Sequence, residues 1–374
     1  MAYFFEGYPR LDGSAGTRNY IGVVCSVVCS SVIAKEISES VHEAIPIVHT
    51  NGCAQLGDDF KVTKNMLVGV ASNPNLYAAL LVGLGCETNQ ISGLLKSIPK
   101  TKPIQGIGIQ QLAGGENTIK KGIQIAKQWA VEITEEKRER LPISSLTVGI
   151  VTTDMDESTL NKVSSVVGGV VDLLVDNDAT VIMGLTDTLE PAGSILSQRS
   201  ENEEVKNKLS NFGEGLHRKR WKYVENQLIT HGSFSDEKKK IAALEVKMTG
   251  KNQIRSLLDY SDIPIEKGLH LMKSSSNIVE TVSNMASSGC NIVMVVSSRG
   301  ILTGSIALPC MTVAPQTSDG PFNELIDHLI TEDEHSIQVK RVISELLNIS
   351  SGKQTNLEKF ELGEFSIPHV GTTF

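Results

Sequence analysis

The chain has 374 residues, a formal net charge of −8 and a composition of 40% hydrophobic, 21% charged and 5% aromatic side chains. That length exceeds what one hydrophobic core organises, so two compact domains are expected. The acidic balance and the scarcity of aromatic rings exclude an electrostatic or base-stacking nucleic-acid binder and any attraction to acidic membranes, although one local arginine is enough to hold a small anion.

The opening "MAYFFEGYPRLDG" has no basic start followed by an apolar stretch, so no signal peptide is expected. Apolar runs such as "NIVMVVSS" fall far short of the roughly 20 residues of a membrane-spanning helix. The six cysteines, Cys25, Cys29, Cys53, Cys86, Cys290 and Cys310, include no CxxC pair, and a chain of this size needs no disulfide staples. A soluble cytoplasmic protein is expected.

In chain order, "YIGVVCSVV" (20–28) predicts a buried strand and "SSVIAKEISESVHEA" the helix after it. "IPIVHT" is the next strand, "PNLYAALLVGLG" a helix running into a strand, and "PIQGIGIQ" another strand. "GENTIKKGIQIAKQWAVEITEEKRER" has helical spacing, and its charged tail reads as a solvated helix end or a linker. A second series follows: strand "LTVGIVTT", helix "VVGGVVDLLVDN", strand "ATVIMGLT", a polar helical stretch over 200–245, helix "IVETVSNMASSG" and strand "NIVMVVSS". Strands alternating with helices predict an α/β protein of two Rossmann-like domains with mainly parallel sheets, one over residues 1–140 and one over 141–374.

In such sheets ligands sit beyond the carboxyl ends of the strands. His49, Cys86 with Glu87, Gln110, and Arg299 with Gly300 all fall there. His49, Cys53, Cys86 and Glu87 offer imidazole, thiolate and carboxylate to a divalent metal; the other reading is a hydrogen-bonded histidine with small buried thiols. Arg18, next to Asn19 before the first strand, is either a carboxylate fork or a surface ion pair. The Gly114-Gly115 pair opens a helix whose N–H groups could face an anion, or is a plain turn. Asp154, Asp156, Asp187 and Glu190 are either bases and metal ligands or solvated loop acids.

Taken together, these stretches resemble the altronate and galactarate dehydratase family, which includes the large subunit of sulfolactate sulfo-lyase. "GYPRLDGSAGTRNYIGVV" looks like the family's opening block, Cys29-Ser30 like its Cys-Ser pair, and "HTNGC", "NPNLYAALLVGLGCE", "IQQLAGGENTI", "SSRGILTG" and "SSGKQTNLEKFELGEF" like later blocks in order. The resemblance implies a lyase that abstracts the proton α to a carboxylate of a sugar acid or related hydroxy acid and expels the β leaving group, supported by iron(II) or a similar divalent ion. It implies metal ligation around His49, Cys53, Cys86 and Glu87. Substrate binding falls to Arg18, Asn19, Cys29, Gln110, Gly114, Gly115, Arg299 and Gly300, and catalysis to Asp156 and Glu190.

The departures lie in the second half. "TTDMDEST" replaces the family's C-G-G-S-D-x-x-S-G, keeping Asp156; "DTLEPAG" carries Asp187 and Glu190 for two glutamates; and "ITHGSFSDEKKKIAALEVK" stands where the family has a Gly-rich loop ending in E-E-K-S. The small domain that precedes this region in single-chain relatives has no counterpart here. The implied partners are a small acidic metabolite, a separate small subunit and other copies of the chain; the alternative function is a non-catalytic paralogue that binds an acidic ligand or serves as a partner subunit.

Overall fold

The computed structural model describes residues 2–53, 55–185, 187–211, 236–275, 277–316 and 320–371. The N-terminal strand β1 (Phe4–Pro9) pairs antiparallel with β2 (Ala15–Gly16). Next come β3 (Tyr20–Cys25), helix α1 (Ser31–Glu39), β4 (Ala44–Ile47), α2 (Gly57–Ser72), β5 (Leu76–Gly83), α3 (Ile91–Ser97), β6 (Ile104–Gly108) and α4 (Gly115–Ile133). The order of the first sheet is β4-β3-β5-β6, and every pair in it is parallel.

Strand β7 (Glu139–Pro142) then returns to β1, with Phe4 opposite Pro142 and Gly7 opposite Glu139. The charged run expected as a helix end or linker therefore ends in a strand: antiparallel pairing with β1 satisfies its backbone, and the Arg140 guanidinium lies 4.0 Å from the Phe4 ring centroid.

The second sheet uses β8 (Thr147–Thr153), β9 (Thr180–Leu185), β10 (Ile254–Leu258), β11 (Gly268–Lys273), β12 (Ile292–Ser297), β14 (Cys310–Pro315) and β15 (His328–Ile330), with the short β13 (Gly304–Ser305) outside it. The order is β10-β11-β9-β8-β12-β14-β15, parallel throughout. Its helices are α5 (Glu157–Asp176), the short α6 (Gly193–Ser197) and α7 (Glu203–Ser210), α8 (Asp236–Met248), α9 (Ile278–Ser287), α10 (His335–Ser350) and α11 (Asn356–Lys359); β16 (Gly363–Glu364) pairs with β13. The α/β class with parallel sheets is the one the alternation predicts. Helix α5 is the described helix long and apolar enough to cross a membrane by length and composition, but it packs against α8 and α10 in the core.

Two elements differ from expectation. Leu76–Gly83 is strand along its whole length, because a strand covered on both faces needs an unbroken apolar run and shows no alternation to betray it. Helix α2 was not expected: its acidic first turn, Asp58 and Asp59, hid the apolar face that begins at Met66.

That face matters most for the architecture. Met66, Leu67 and Val70 of α2 share one core with Val282, Met285 and Ala286 of α9, so a single apolar layer joins the two sheets. The helices touch at Gly69, where a Cβ would lie 2.1 Å from the Ser287 carbonyl oxygen. Polar bonds seal the same junction: Asn73 Nδ2 donates to the carbonyls of Ala286 (2.7 Å) and Cys290 (2.8 Å), Thr17 Oγ1 to that of Asn291 (2.6 Å), and Asn75 Nδ2 to it as well (3.0 Å).

Candidate functional site

Each sheet has one place where the chain leaves a central strand in opposite directions: between β3 and β5 in the first, between β8 and β12 in the second. The loops at the carboxyl ends of these strands diverge and leave a crevice, the usual ligand position in doubly wound sheets.

At the first crevice Glu87 is the organiser. It is 2% exposed, its Oε1 accepts from Ser26 Oγ (2.9 Å) and its Oε2 from the Gly85 N–H (2.6 Å). Both oxygens are thus engaged in tying the β3 loop to the β5 loop. His49 is likewise occupied: Nε2 lies 3.1 Å from the Cys25 carbonyl and Nδ1 accepts from the Asn51 N–H at 3.1 Å. Those partners require the neutral tautomer protonated on Nε2, and burial pushes the imidazole pKa down to about 4. As placed, both nitrogens of His49 and both oxygens of Glu87 have hydrogen-bond partners, and the two side chains brace the loops.

The cysteines divide. Cys25, Cys290 and Cys310 are buried, whereas Cys29, Cys53 and Cys86 are exposed on the loops after β3, β4 and β5. Cys86 is a hydrogen-bond partner of Cys53, and desolvation by the surrounding loops, then the neighbouring Cys86 and Cys29 thiols, raise the Cys53 pKa. Cys29, assigned to substrate by the resemblance, therefore stands with Cys53 and Cys86. Among the described residues, no three His, Cys, Asp or Glu side chains converge on a single metal-sized point. Gln110 joins this group, its Oε1 packing against Gly85. Gly114 (φ +130°) and the preceding Ala113 (φ +56°) make the left-handed turn that starts α4.

At the second crevice Asp154 and Arg299 are exposed at the ends of β8 and β12. Asp154 has φ +54°, a conformation a non-glycine residue rarely holds, and the Ser298 hydroxyl donates to its carbonyl. Ser297 Oγ donates to the Gly300 carbonyl (3.0 Å) and accepts from the Arg299 N–H (3.3 Å), fixing the loop that presents the guanidinium. Gly300 is held at φ +80° against Phe322. Asp156 is instead the N-cap of α5, accepting from the Thr159 N–H at 2.6 Å; the Thr159 backbone and hydroxyl, and the Arg299 charge beyond them, hold its carboxyl below the usual range. In this structure Asp156 thus serves as the cap of α5 through one carboxylate oxygen. Glu190 and Asp187 lie in the 3₁₀ turn Asp187–Ala192 after β9, with side chains outside the described residues. The first part of the segment replacing the family's Gly-rich loop, 229–235, also lies outside them, and the rest forms α8.

Arg18 is not a ligand fork in this structure. Its Nε and Nη2 grip both Glu358 oxygens at 2.7 Å, and its remaining N–H groups reach the carbonyls of Thr17, Ile349 and Lys353. With the side chain 7% exposed, it is a buried clamp between the N-terminal strands and the C-terminal segment. Asn19 is turned the same way, accepting from Arg10 Nη2 at 2.8 Å, while its Nδ2 is buried without a partner.

A cleft of about 1070 Å³ lies beside the first crevice, between α1 with β4 and the segment 361–366, and its lining includes Lys35, His42, His49, Thr50 and Phe365. Lys35 and His42 did not stand out in the sequence. The spacing of Ser31, Lys35 and Ser38, all on this cleft, is one helix face and was the available signal.

Two doubly wound parallel sheets with polar residues at both switch points define an α/β protein of the small-ligand-binding or enzymatic class. Residues 7–134 match the family described as D-galactarate dehydratase/Altronate hydrolase, second domain, and residues 143–373 match D-galactarate/Altronate dehydratase, C-terminal. The chain belongs to this family. It is 27% identical to an altronate dehydratase of Bacillus subtilis over 99% of this chain and 78% of that protein. It is 24% identical to the (2R)-sulfolactate sulfo-lyase subunit beta of Chromohalobacter salexigens over 98% and 97%, and 25% identical to the galactarate dehydratase (L-threo-forming) of Escherichia coli over 94% and 73%.

Proposed function

We propose that the protein is a hydro-lyase that removes water from a sugar acid or related hydroxy acid. The observation that carries this reading is family membership across both sheets, joined to an exposed arginine fork and an exposed carboxylate at neighbouring strand ends. Arg299 takes the substrate carboxylate through two parallel N–H bonds and stays beside it as negative charge spreads onto the enediolate. Asp154 is the base: it removes the proton α to that carboxylate, the C–H electron pair becomes the new double bond, and the β hydroxyl departs with a proton as water. The enol product then relaxes to a 2-oxo acid. A divalent ion such as iron(II), where bound, would stabilise the developing oxygen charge; the residues that would hold it are His49, Cys53, Cys86 and Glu87 on the loops of the first crevice.

The like-sized relative named a subunit beta supports a separate small partner subunit for this chain as well. A second reading, a non-catalytic binder of an acidic ligand, is favoured by the loss of the family's Gly-rich loop from the sequence.

The test is anaerobically purified protein offered aldonates, aldarates and sulfolactate, with 2-oxo acid or sulfite release as readout. Turnover of one of them, lost in Arg299→Ala and sharply lowered in Asp154→Asn, is expected. Binding of these acids with no turnover of any establishes the second reading instead.

A further inference from the structure

Helices α2 and α9 lie with their carboxyl ends together. Ser287 Oγ donates to the Met66 carbonyl at 3.0 Å, and Asn73, which ends α2, holds the carbonyl of Cys290. Their amino ends therefore point the same way, toward the carboxyl ends of β4 and β11, the strands they follow. The segment after α11 is threaded along this pair. It leaves β13, just past the Arg299-Gly300 loop, where the Gly304 N–H donates to the Leu362 carbonyl at 3.2 Å. Phe365 and Ile367 are buried in the layer between the sheets, and the Ser366 N–H donates to Ser283 Oγ at 2.9 Å. The segment ends on the first turn of α2, where Asp59 Oδ1 accepts from the N–H groups of Val370 (2.7 Å) and Gly371 (3.0 Å). It thus runs from the loop of the second crevice to the helix that follows the Cys53 loop of the first.

That path delivers an imidazole. His369 Nδ1 lies 3.7 Å from Asp59 Oδ2, with the histidine side chain 54% exposed and the carboxylate 17%. Asp59 is fixed by the two backbone bonds to its other oxygen, so it holds the ring in one orientation, with Nδ1 inward and Nε2 on the far side. Asn89 Nδ2 reaches the Phe60 carbonyl at 3.5 Å, which ties the Cys86 loop to the same turn. A half-exposed histidine oriented through Nδ1 by a carboxylate is the arrangement of a proton donor or acceptor at Nε2. His49, buried with both nitrogens partnered, is the contrasting case. In the lyase reading Asp154 takes the α proton and Arg299 holds the carboxylate, while the departing hydroxyl still needs a proton.

We propose that His369, oriented by Asp59, is the general acid that protonates the departing β hydroxyl, a role that rests on the lyase reading and completes it. The donating form is the imidazolium, its Nδ1–H facing Asp59. As the C–H pair becomes the new double bond, the C–O bond breaks with its electrons on oxygen. That oxygen takes the Nε2 proton and leaves as water. Asp154 has gained one proton and His369 has lost one, and exchange with solvent resets both. Asp59 is a positioning residue: it touches the imidazole and not the acid.

The experiment varies the leaving group. The aldonate or aldarate that the unaltered chain dehydrates is compared with its 3-chloro-3-deoxy analogue, because chloride departs without a proton. In His369→Ala and His369→Gln, folded by circular dichroism, kcat for loss of water should fall about 10²–10⁴-fold with KM little changed. Loss of chloride should continue at close to the unaltered rate. Asp59→Asn should show the same split between leaving groups, with a smaller fall. Dehydration undiminished in both His369 variants, or an equal fall for water and chloride, overturns the inference and leaves the lyase reading standing. An unaltered chain that removes water from none of the acids overturns both.

Discussion

His49 shows how one residue type carries two readings until its neighbours are known. The ordinary imidazole pKa is 6.5, but in the folded chain it is pushed down to about 4 by burial. The unfolded chain therefore takes up a proton as pH falls below 6.5 and the folded chain does not until about 4, so this contribution to stability is complete above 6.5 and is lost between 6.5 and 4. The loss is on the order of 3 kcal/mol. Urea unfolding across that range should show a downward slope that flattens in His49→Gln; an unaltered slope assigns the titration to another group. Asp156 offers a parallel case. Asp156→Ala should cost about 1 kcal/mol through loss of the cap, and Asp156→Ser almost nothing. Turnover abolished in a fully stable Asp156→Ser variant would restore the base role that capping now argues against.

Between elements, the contact that organises the molecule is helix on helix. At Gly69 of α2 the Ser287 carbonyl stands where a side chain would begin, so Gly69→Ala forces the helices apart and should cost about 1–3 kcal/mol, read by thermal unfolding. Gly93 in α3 is the matched contrast. Nothing lies within 4 Å of its ideal Cβ, so Gly93→Ala should raise stability by about 0.4–1 kcal/mol. Equal effects at both sites would mean that the α2–α9 junction tolerates separation. Helix α5 illustrates the opposite limit: its apolar composition alone meets the length of a membrane span, and burial against α8 and α10 accounts for it.

Across the whole molecule, the shared α2–α9 core and the Arg18–Glu358 clamp bind the two sheets into one unit. A single calorimetric transition is expected, with the van't Hoff and calorimetric enthalpies equal; two resolved transitions would show that the junction is weaker than its packing. Arg18→Met leaves Glu358 half-buried without its cation and should cost about 3–5 kcal/mol, with the affinity for an acidic ligand unchanged. Loss of ligand affinity at full stability would return Arg18 to the site.

The strand–helix alternation and the polar residues at strand ends were legible in the sequence, because parallel strands need continuous apolar runs and ligands collect where such strands stop. From these came the α/β class and the candidate positions Cys53, Cys86, Gln110 and Arg299. The sequence could not say which polar groups are already occupied, since that depends on partners far along the chain: Glu87 on Ser26, Arg18 on Glu358 some 340 residues away. Nor could it group Cys29 with Cys53 and Cys86, because strand order β4-β3-β5 is a property of the sheet and not of the chain. Local pattern reports which groups reach a strand end; only the tertiary fold decides which of them remain free to act there.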